Sequence, residues 1–309
     1  MPGADAPVPP APAASAAAEE SQPPTTEDVV ESARRTVRST AEWLARGVDS
    51  WFGNKPFSEG GKVSDGLLSV SMLSRQHEKP DISLRFNARF RLPNVEKVTY
   101  LFVGRNDQRE VVSDTPDAFS REQRLLRENT VDRSFFAGLG MLLHDTVELR
   151  LGVHGGLKPY AQARYWRPWR LGEADLVDFR ETLFWTVADH VGSTTALSYE
   201  HAFSSTLAGR WLNAATITQR SKHVEWSSSL GAYKLFGDQR LLSLEALCSG
   251  VQGSGVTVSD YGVQTKWEQP IHQDWLLGEV LLGHFWPRPN AASERGRAWA
   301  VGMTLKMKF

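Results

Sequence analysis

The most regular stretch of the chain is 81–92, DISLRFNARFRL, where apolar and polar residues alternate without interruption. Ile82, Leu84, Phe86, Ala88, Phe90 and Leu92 fall on one side of an extended strand; Ser83, Arg85, Asn87, Arg89 and Arg91 fall on the other. The reason is geometric, since successive side chains of a strand point to opposite faces. Soluble strands run to about 5–6 residues, whereas a tilted strand crossing a bilayer needs roughly 9–11. This segment has the greater length. The same rhythm recurs at 62–75, 97–104, 134–144, 146–155, 158–169, 175–188, 193–203, 206–219, 222–235, 239–251, 256–268, 273–286 and 297–309, and with 80–93 that makes fourteen segments. The pattern predicts an all-β fold, a transmembrane antiparallel up-and-down barrel of about fourteen strands over 62–309. Twelve strands is the fallback, because the hairpin 146–169 turns on Gly155, Gly156 and Pro159 alone.

Before residue 62 the period is different. Residues 26–52 read as one amphipathic helix of a 26–55 unit, with Thr26 as N-cap and Glu27 and Asp28 in the first turn, where the helix dipole favours acids. Val30, Ala33, Val37, Ala41, Leu44, Val48 and Trp51 share one face at helical spacing, opposite Arg35, Arg38, Glu42 and Arg46. The stripe needs a partner: a membrane surface, the barrel wall or lumen, another protein or a second copy. Residues 1–25 are Pro- and Ala-rich with hardly any large apolar residue, which predicts a disordered tether.

Three features turn alternation into a membrane prediction. Tryptophans sit beside turns: Trp267 and Trp275 about Gln269–Gln273, Trp286 and Trp299 about the loop PRPNAASERGR, Trp166 and Trp169 before Gly172, and Trp185 before Asp189. Indoles at strand ends are what interfacial girdles require. Trp211, at mid-strand, is where a soluble core would place one. Connections also alternate between short turns and longer loops, and the longest, 105–133, falls on the long-loop side with 287–296. Lastly, Trp299, Val301, Met303, Leu305, Met307 and the terminal Phe309 project to one face. This resembles the C-terminal targeting strand of bacterial outer-membrane β-barrel proteins. The resemblance covers the last eleven residues and implies a bacterial outer-membrane location, surrounding lipid, and handling by the barrel assembly machinery during biogenesis. Residues 1–24 lack the basic and apolar regions of an export signal, so a signal already removed is the expectation.

Composition then narrows the function. Net charge is −1, with 35 basic and 36 acidic residues, leaving no cationic surplus for nucleic acid. The single Cys248 supports neither a disulfide framework nor a thiolate metal site, and no metal or cofactor is expected. P-loop, G-x-S-x-G, H-E-x-x-H and C-x-x-C patterns are absent. Gly138 and Gly140 are read as strand glycines, not a dinucleotide loop. A barrel hydrolase would place His and Ser two apart on one strand; His201 and Ser204 are three apart, with Phe203 at the nucleophile position. Asp189-His190 is an isolated rim dipeptide.

The polar face supplies the candidate lumen residues: Arg85, Arg89, Arg91, Glu148, Arg150, Arg164, Asp178, Arg180, Glu200, Glu245, Lys266, Glu268, Glu279 and Lys306. They predict either an ion-paired, filled interior or a passive channel with charged walls, which the arginines of 80–93 would bias towards anions. The helix at 26–52 and the loop at 105–133 are the two segments able to fill such a lumen. The alternatives are a filled barrel serving as an anchor, docking a periplasmic partner through 26–52, and, third, a lipid or peptide hydrolase. The stretches SWFGNKPFSEGG and KPYAQARYW look motif-like, with no chemistry attached.

Overall fold

The computed structural model describes residues 26–49, 62–76, 79–91, 99–105, 111–114, 135–237, 239–288 and 290–309. Among the described residues one helix, α1 (Thr26–Asp49), precedes fourteen strands. These are β1 (Lys62–Arg75), β2 (Asp81–Arg91), β3 (Thr99–Arg105), β4 (Phe135–His144), β5 (Val147–His154), β6 (Lys158–Arg170) and β7 (Asp175–Thr186). They continue as β8 (His190–Ser204), β9 (Leu207–Thr218), β10 (Val224–Phe236), β11 (Arg240–Gln252), β12 (Asp260–His272), β13 (Leu276–Phe285) and β14 (Ala298–Lys308). Each strand pairs antiparallel with its sequence neighbour, and β1 pairs with β14, so the sheet closes into a barrel without an edge. An even strand count puts both barrel termini at one end. Two-residue turns such as Asp145–Thr146 and Ser205–Thr206 lie there, while 253–259 and the described residues of 286–297 cap the other end.

The alternation read from sequence is realised as outside and inside. Ile82, Leu84, Leu151, Leu183, Leu230, Leu244 and Met303 are exposed, with Ile82 at 68%. Their inward neighbours Ser83, Thr182, Ser243 and Gln264 are buried. A fold whose large aliphatic side chains face outward while its small polar ones are packed inside is inverted relative to a water-soluble barrel, and it matches a lipid-facing belt. No helix among the described residues is long and apolar enough to cross a membrane; the strands do the crossing.

Four sequence expectations are corrected. The lumen does not hold α1. Val30 and Val37 pack on Leu68, Trp275, Leu276 and Met307, and Ala41 packs among Val63, Ala88, Phe90 and Leu101. Leu68, Met307, Ala88 and Phe90 face away from the inward Ser69, Lys306 and Arg89, so the helix lies against the outer wall near the short-turn end. Its stripe finds the exterior, where the barrel offers a broad apolar surface beside the start of β1. Ala33 falls outside the contact and is exposed, whereas Arg34 stacks over the Trp275 ring at 4.8 Å. The strand read as 256–268 is β12, which runs on to His272: Pro270 sits at a register irregularity, where its missing N–H is tolerated, and so does not end the strand. Trp166 turns into the lumen and lines a cavity there instead of joining a girdle. Trp211 is half exposed on the outer wall, where its indole N–H donates to Ser228 Oγ at 3.2 Å. The tether 1–25 and the stretch SWFGNKPFSEGG lie outside the described residues.

The terminal strand shows why its last residue is aromatic. Phe309 stacks on Phe86 with ring centroids 5.9 Å apart, and a Cβ at Gly66 would sit 2.5 Å from its ring. Gly66 therefore leaves the recess in which the ring lies. On the helix, Val37→Asp places a charge against apolar wall, and α1 is expected to detach. Limited proteolysis should then cut within 26–49 at rates several times those of the parent while the barrel fragment stays intact; unchanged cleavage would show that the stripe does not hold the helix.

Candidate functional site: a constricted, arginine-lined lumen

The register places all fourteen candidate charges on the inner face. Arg85 lies opposite the inward Ser69, Glu148 opposite Arg164, and Glu268 opposite Glu279. They separate into distinct groups. On β10 to β14, Glu245 accepts hydrogen bonds from Tyr233 Oη at 2.7 Å and Gln264 Nε2 at 2.5 Å, with Lys266 Nζ 3.3 Å away. Nearby, Lys306 Nζ donates to Glu268 at 2.5 Å and Glu279 at 2.8 Å. Glu200 pairs with Arg210 at 3.2 Å. A low-dielectric interior would penalise any of these acids alone, and each has its cation.

The largest network spans β3 to β7. Glu148 accepts from Tyr100 Oη, from Arg150 Nη2 and from Arg164 Nη1, the last at 3.2 Å. Arg150 Nε donates to Tyr100 Oη at 3.0 Å, and Arg89 lies over the Tyr100 ring at 5.4 Å. Tyr100 can lie flat against the wall because Gly140 faces it: a Cβ there would meet the ring at 2.2 Å. Gly138 and Gly140 are thus close-approach glycines in β4. Gly140→Leu is expected to push the phenol off Glu148 and to cost about 1–3 kcal/mol through overpacking. The check is the denaturation midpoint of the folded barrel, and a midpoint equal to the parent's would remove this account of Gly140.

A four-residue piece of the long connection enters the barrel. Val111 and Val112 are buried among the inward rings of Phe102, Phe136, Tyr160 and Phe184. Gln162 Nε2 donates to the Val112 carbonyl at 2.7 Å. Asp114 closes the segment, its Oδ2 paired with Arg164 Nε at 2.7 Å and Arg180 Nε at 3.1 Å and accepting from Thr182 Oγ1 at 3.1 Å. So 111–114, and not the helix, occupies the lumen. Phe136, Tyr160 and Phe184 stand near the long-loop ends of their strands, which sets the segment in that half. Across from it, Leu73, Leu247, Leu281, Phe285, Ala298 and Ala300 form an apolar inner cluster.

On the short-turn side of the segment lies a cavity of about 500 Å³. Arg89, Arg91, Arg164, Arg180 and Arg210 line it, against the acids Glu148 and Asp178. Five guanidinium groups face two lining carboxylates; Arg164 and Arg180 also pair with Asp114, and Arg210 with Glu200, so the space keeps a small positive excess. Trp166 and Tyr100 add aromatic wall. Of the fourteen predicted residues, six line this cavity: Arg89, Arg91, Glu148, Arg164, Asp178 and Arg180. Sequence reasoning missed Arg210, although its alternation with inward Ala208 and Leu212 would have found it. It also missed Tyr100, Gln162 and Asp114. The motif-like KPYAQARYW is explained, because Tyr160, Gln162, Arg164 and Trp166 are its inward positions.

The hydrolase candidates stand elsewhere. His201 is on the outer wall, 2.7 Å from Asp175 and edge-on to Phe203. Ser204 Oγ accepts backbone N–H groups of Thr206 and Leu207 in a turn, and Asp189 interacts with Thr186 in another. Among the described residues no group of three or more His, Cys, Asp or Glu is placed to hold a metal ion.

A scan of protein-family models found no match, and no curated protein matches the sequence. Solved structures do match. The OprB structure from Pseudomonas putida is 8% identical, with 82% of this chain and 95% of that chain covered and a TM-score of 0.49. OccK11 of Pseudomonas aeruginosa is 12% identical over 81% and 97%, with a TM-score of 0.43. A KdgM porin is 6% identical over 79% and 99%, with a TM-score of 0.38.

Proposed function

We propose that this protein is a bacterial outer-membrane channel through which small anionic solutes pass passively along a narrow lumen. The observation that carries the reading is the electropositive cavity. Five arginines face a space large enough for a small solute, inside a barrel whose exterior is apolar. Arginine suits this task because its guanidinium stays charged and presents planar donors to carboxylate or phosphate. Field lines inside a low-dielectric wall are focused along the bore, so a few charges set ion preference. The apolar belt and the outward Trp299, Trp185 and Trp169 support insertion in lipid.

The test is planar-bilayer conductance of the purified chain under a salt gradient. A reversal potential on the anion side is expected; a cation preference, or no conductance at all, overturns the reading. Mobility in gels with and without boiling should first show a compact form that survives detergent until heated. Because α1 lies on the outer wall, deleting residues 1–55 is expected to leave single-channel conductance within about twofold of the parent, as charge beyond a Debye length of about 10 Å is screened. A large rise would show that the N-terminal region obstructs the lumen.

A second reading, an anchor that docks a periplasmic partner, rests on the outward face of α1. Ser32, Arg35, Thr36 and Ser39 are exposed, and the described apolar residues Val30, Val37 and Ala41 are turned to the wall. A partner would therefore meet a polar surface.

A further inference from the structure

We infer that Arg164, Arg180 and Thr182 form an anion-binding subsite in the lumen wall, occupied by the chain's own Asp114 carboxylate, which a solute carboxylate or phosphate displaces. The inference rests on the channel reading for its physiological meaning, but the subsite itself rests on geometry. Two cations and a hydroxyl from two adjacent strands converge on one oxygen, Asp114 Oδ2: Arg164 Nε and Arg180 Nε pair with it by charge at 2.7 and 3.1 Å, and Thr182 Oγ1 donates to it at 3.1 Å. Thr182 is wholly buried, and the Arg164 and Arg180 side chains are 15% and 31% exposed. Both arginines also line the 500 Å³ cavity. The cradle is thus open to the space that a passing anion would enter, while its present occupant comes from the other side.

The occupant is not needed to hold its segment. Val111 and Val112 pack on four inward aromatic rings, and Gln162 fixes the Val112 carbonyl. An Arg180 Nη2 contact to the Asp114 main-chain oxygen, at 3.4 Å, is also independent of the carboxylate. Asp114 further has φ of 53°, the left-handed region that L residues other than Asn and Asp enter at a cost. That backbone conformation aims the side chain at the cradle. Withdrawal of the carboxylate by rotation about its side-chain torsions leaves Arg180 without its acid and Arg164 paired with Glu148 alone, both guanidiniums facing the cavity. The bound carboxylate neutralises the pair when no solute is present, which avoids an unpaired buried charge, and it sets a threshold affinity that a solute must exceed.

A site filled by a competitor most of the time shows an apparent affinity lowered by the fraction of time it is vacant. Asp114→Asn removes the competitor's charge, keeps its shape and suits the left-handed backbone; Asp114→Gly suits that backbone as well and serves as the second variant. The probe is inorganic phosphate, titrated calorimetrically into the folded barrel in detergent, with folding verified by heat-modifiable mobility. Phosphate affinity is expected to rise about tenfold in Asp114→Asn or Asp114→Gly, and the gain is expected to vanish in Asp114→Asn/Arg180→Gln. An affinity equal to the parent's in both single variants overturns the subsite. So does a gain that survives loss of Arg180, which would place the anion at Arg89 or Arg91, and so does the absence of phosphate binding in every form. Conductance of the same samples separates the two claims. Tighter phosphate binding with no current in any form leaves the subsite standing and removes the channel; anion-selective current with no change in binding does the reverse.

Discussion

Arg164→Gln is expected to be the most damaging single charge change in the barrel. Its guanidinium joins two acids at once, Glu148 at 3.2 Å and Asp114 at 2.7 Å, and its side chain is only 15% exposed. Taking away one partner of a buried pair strands the other charge, which typically costs about 3–5 kcal/mol. Two acids are affected here, though Arg150 remains 3.1 Å from Glu148 and Arg180 remains on Asp114. Arg180→Gln is the internal comparison. Arg180 is more exposed and its ion pair is with Asp114, which Arg164 also holds, so its loss should cost less than half as much. Denaturant midpoints of the folded, heat-modifiable form measure both. Equal losses would mean that bridging by Arg164 is not what stabilises this side of the lumen. Both variants should also move the reversal potential towards cations, because each removes a positive charge from the cavity lining.

Phe285→Ala is the second large effect, and it acts through packing. Phe285 is fully buried on the inner face, with Leu73, Leu247, Leu281, Ala298 and Ala300 around it. Its ring covers two glycines: a Cβ at Gly262 would come within 2.3 Å of it, and one at Gly283 within 2.4 Å. Truncating a buried phenylalanine costs about 3–5 kcal/mol, since the contacts are lost and the surroundings relax only in part. Closed strands that hydrogen-bond on both sides have little freedom to collapse, so the upper part of that range is expected. The space vacated lies in the lumen, and single-channel conductance should rise in parallel. A stable variant with the parent's conductance would show that the apolar cluster neither supports the barrel nor narrows it.

Much of the barrel could be read one residue at a time. Strand β1 has the bounds that alternation predicted, and β2, β4, β5 and β6 lie within two residues of theirs. Alternation works because each strand separates lipid from lumen and its side chains have no third place to go. It faltered at β12, read as 256–268 and observed as Asp260–His272, where a register irregularity between Pro270 and His272 lets the strand run past the proline. The fourteen candidate charges were legible for the same reason as the strands, since a charge in a lipid-crossing strand is favoured on the inner face; Asp175 and Glu181 of β7 face outward instead, where Tyr199, His201, Ser193 and Thr195 partner them. Trp166 shows the limit of that reasoning. An indole beside a turn is as compatible with a cavity wall as with an interfacial girdle, and neighbours on other strands make the choice.

The sequence by itself determined the barrel, a strand number of about fourteen and the inner position of the fourteen candidate charges, because these depend on a local two-residue period. Tertiary structure alone decided what enters the lumen. The stripe of α1 and the valines of 111–112 are both short apolar patterns, and nothing local distinguishes them. Val30, Val37 and Ala41 meet uncovered apolar wall outside the barrel, whereas Val111 and Val112 meet four inward aromatic rings and bring Asp114 to two arginines from β6 and β7. Both outcomes depend on surfaces that exist only after the sheet has closed.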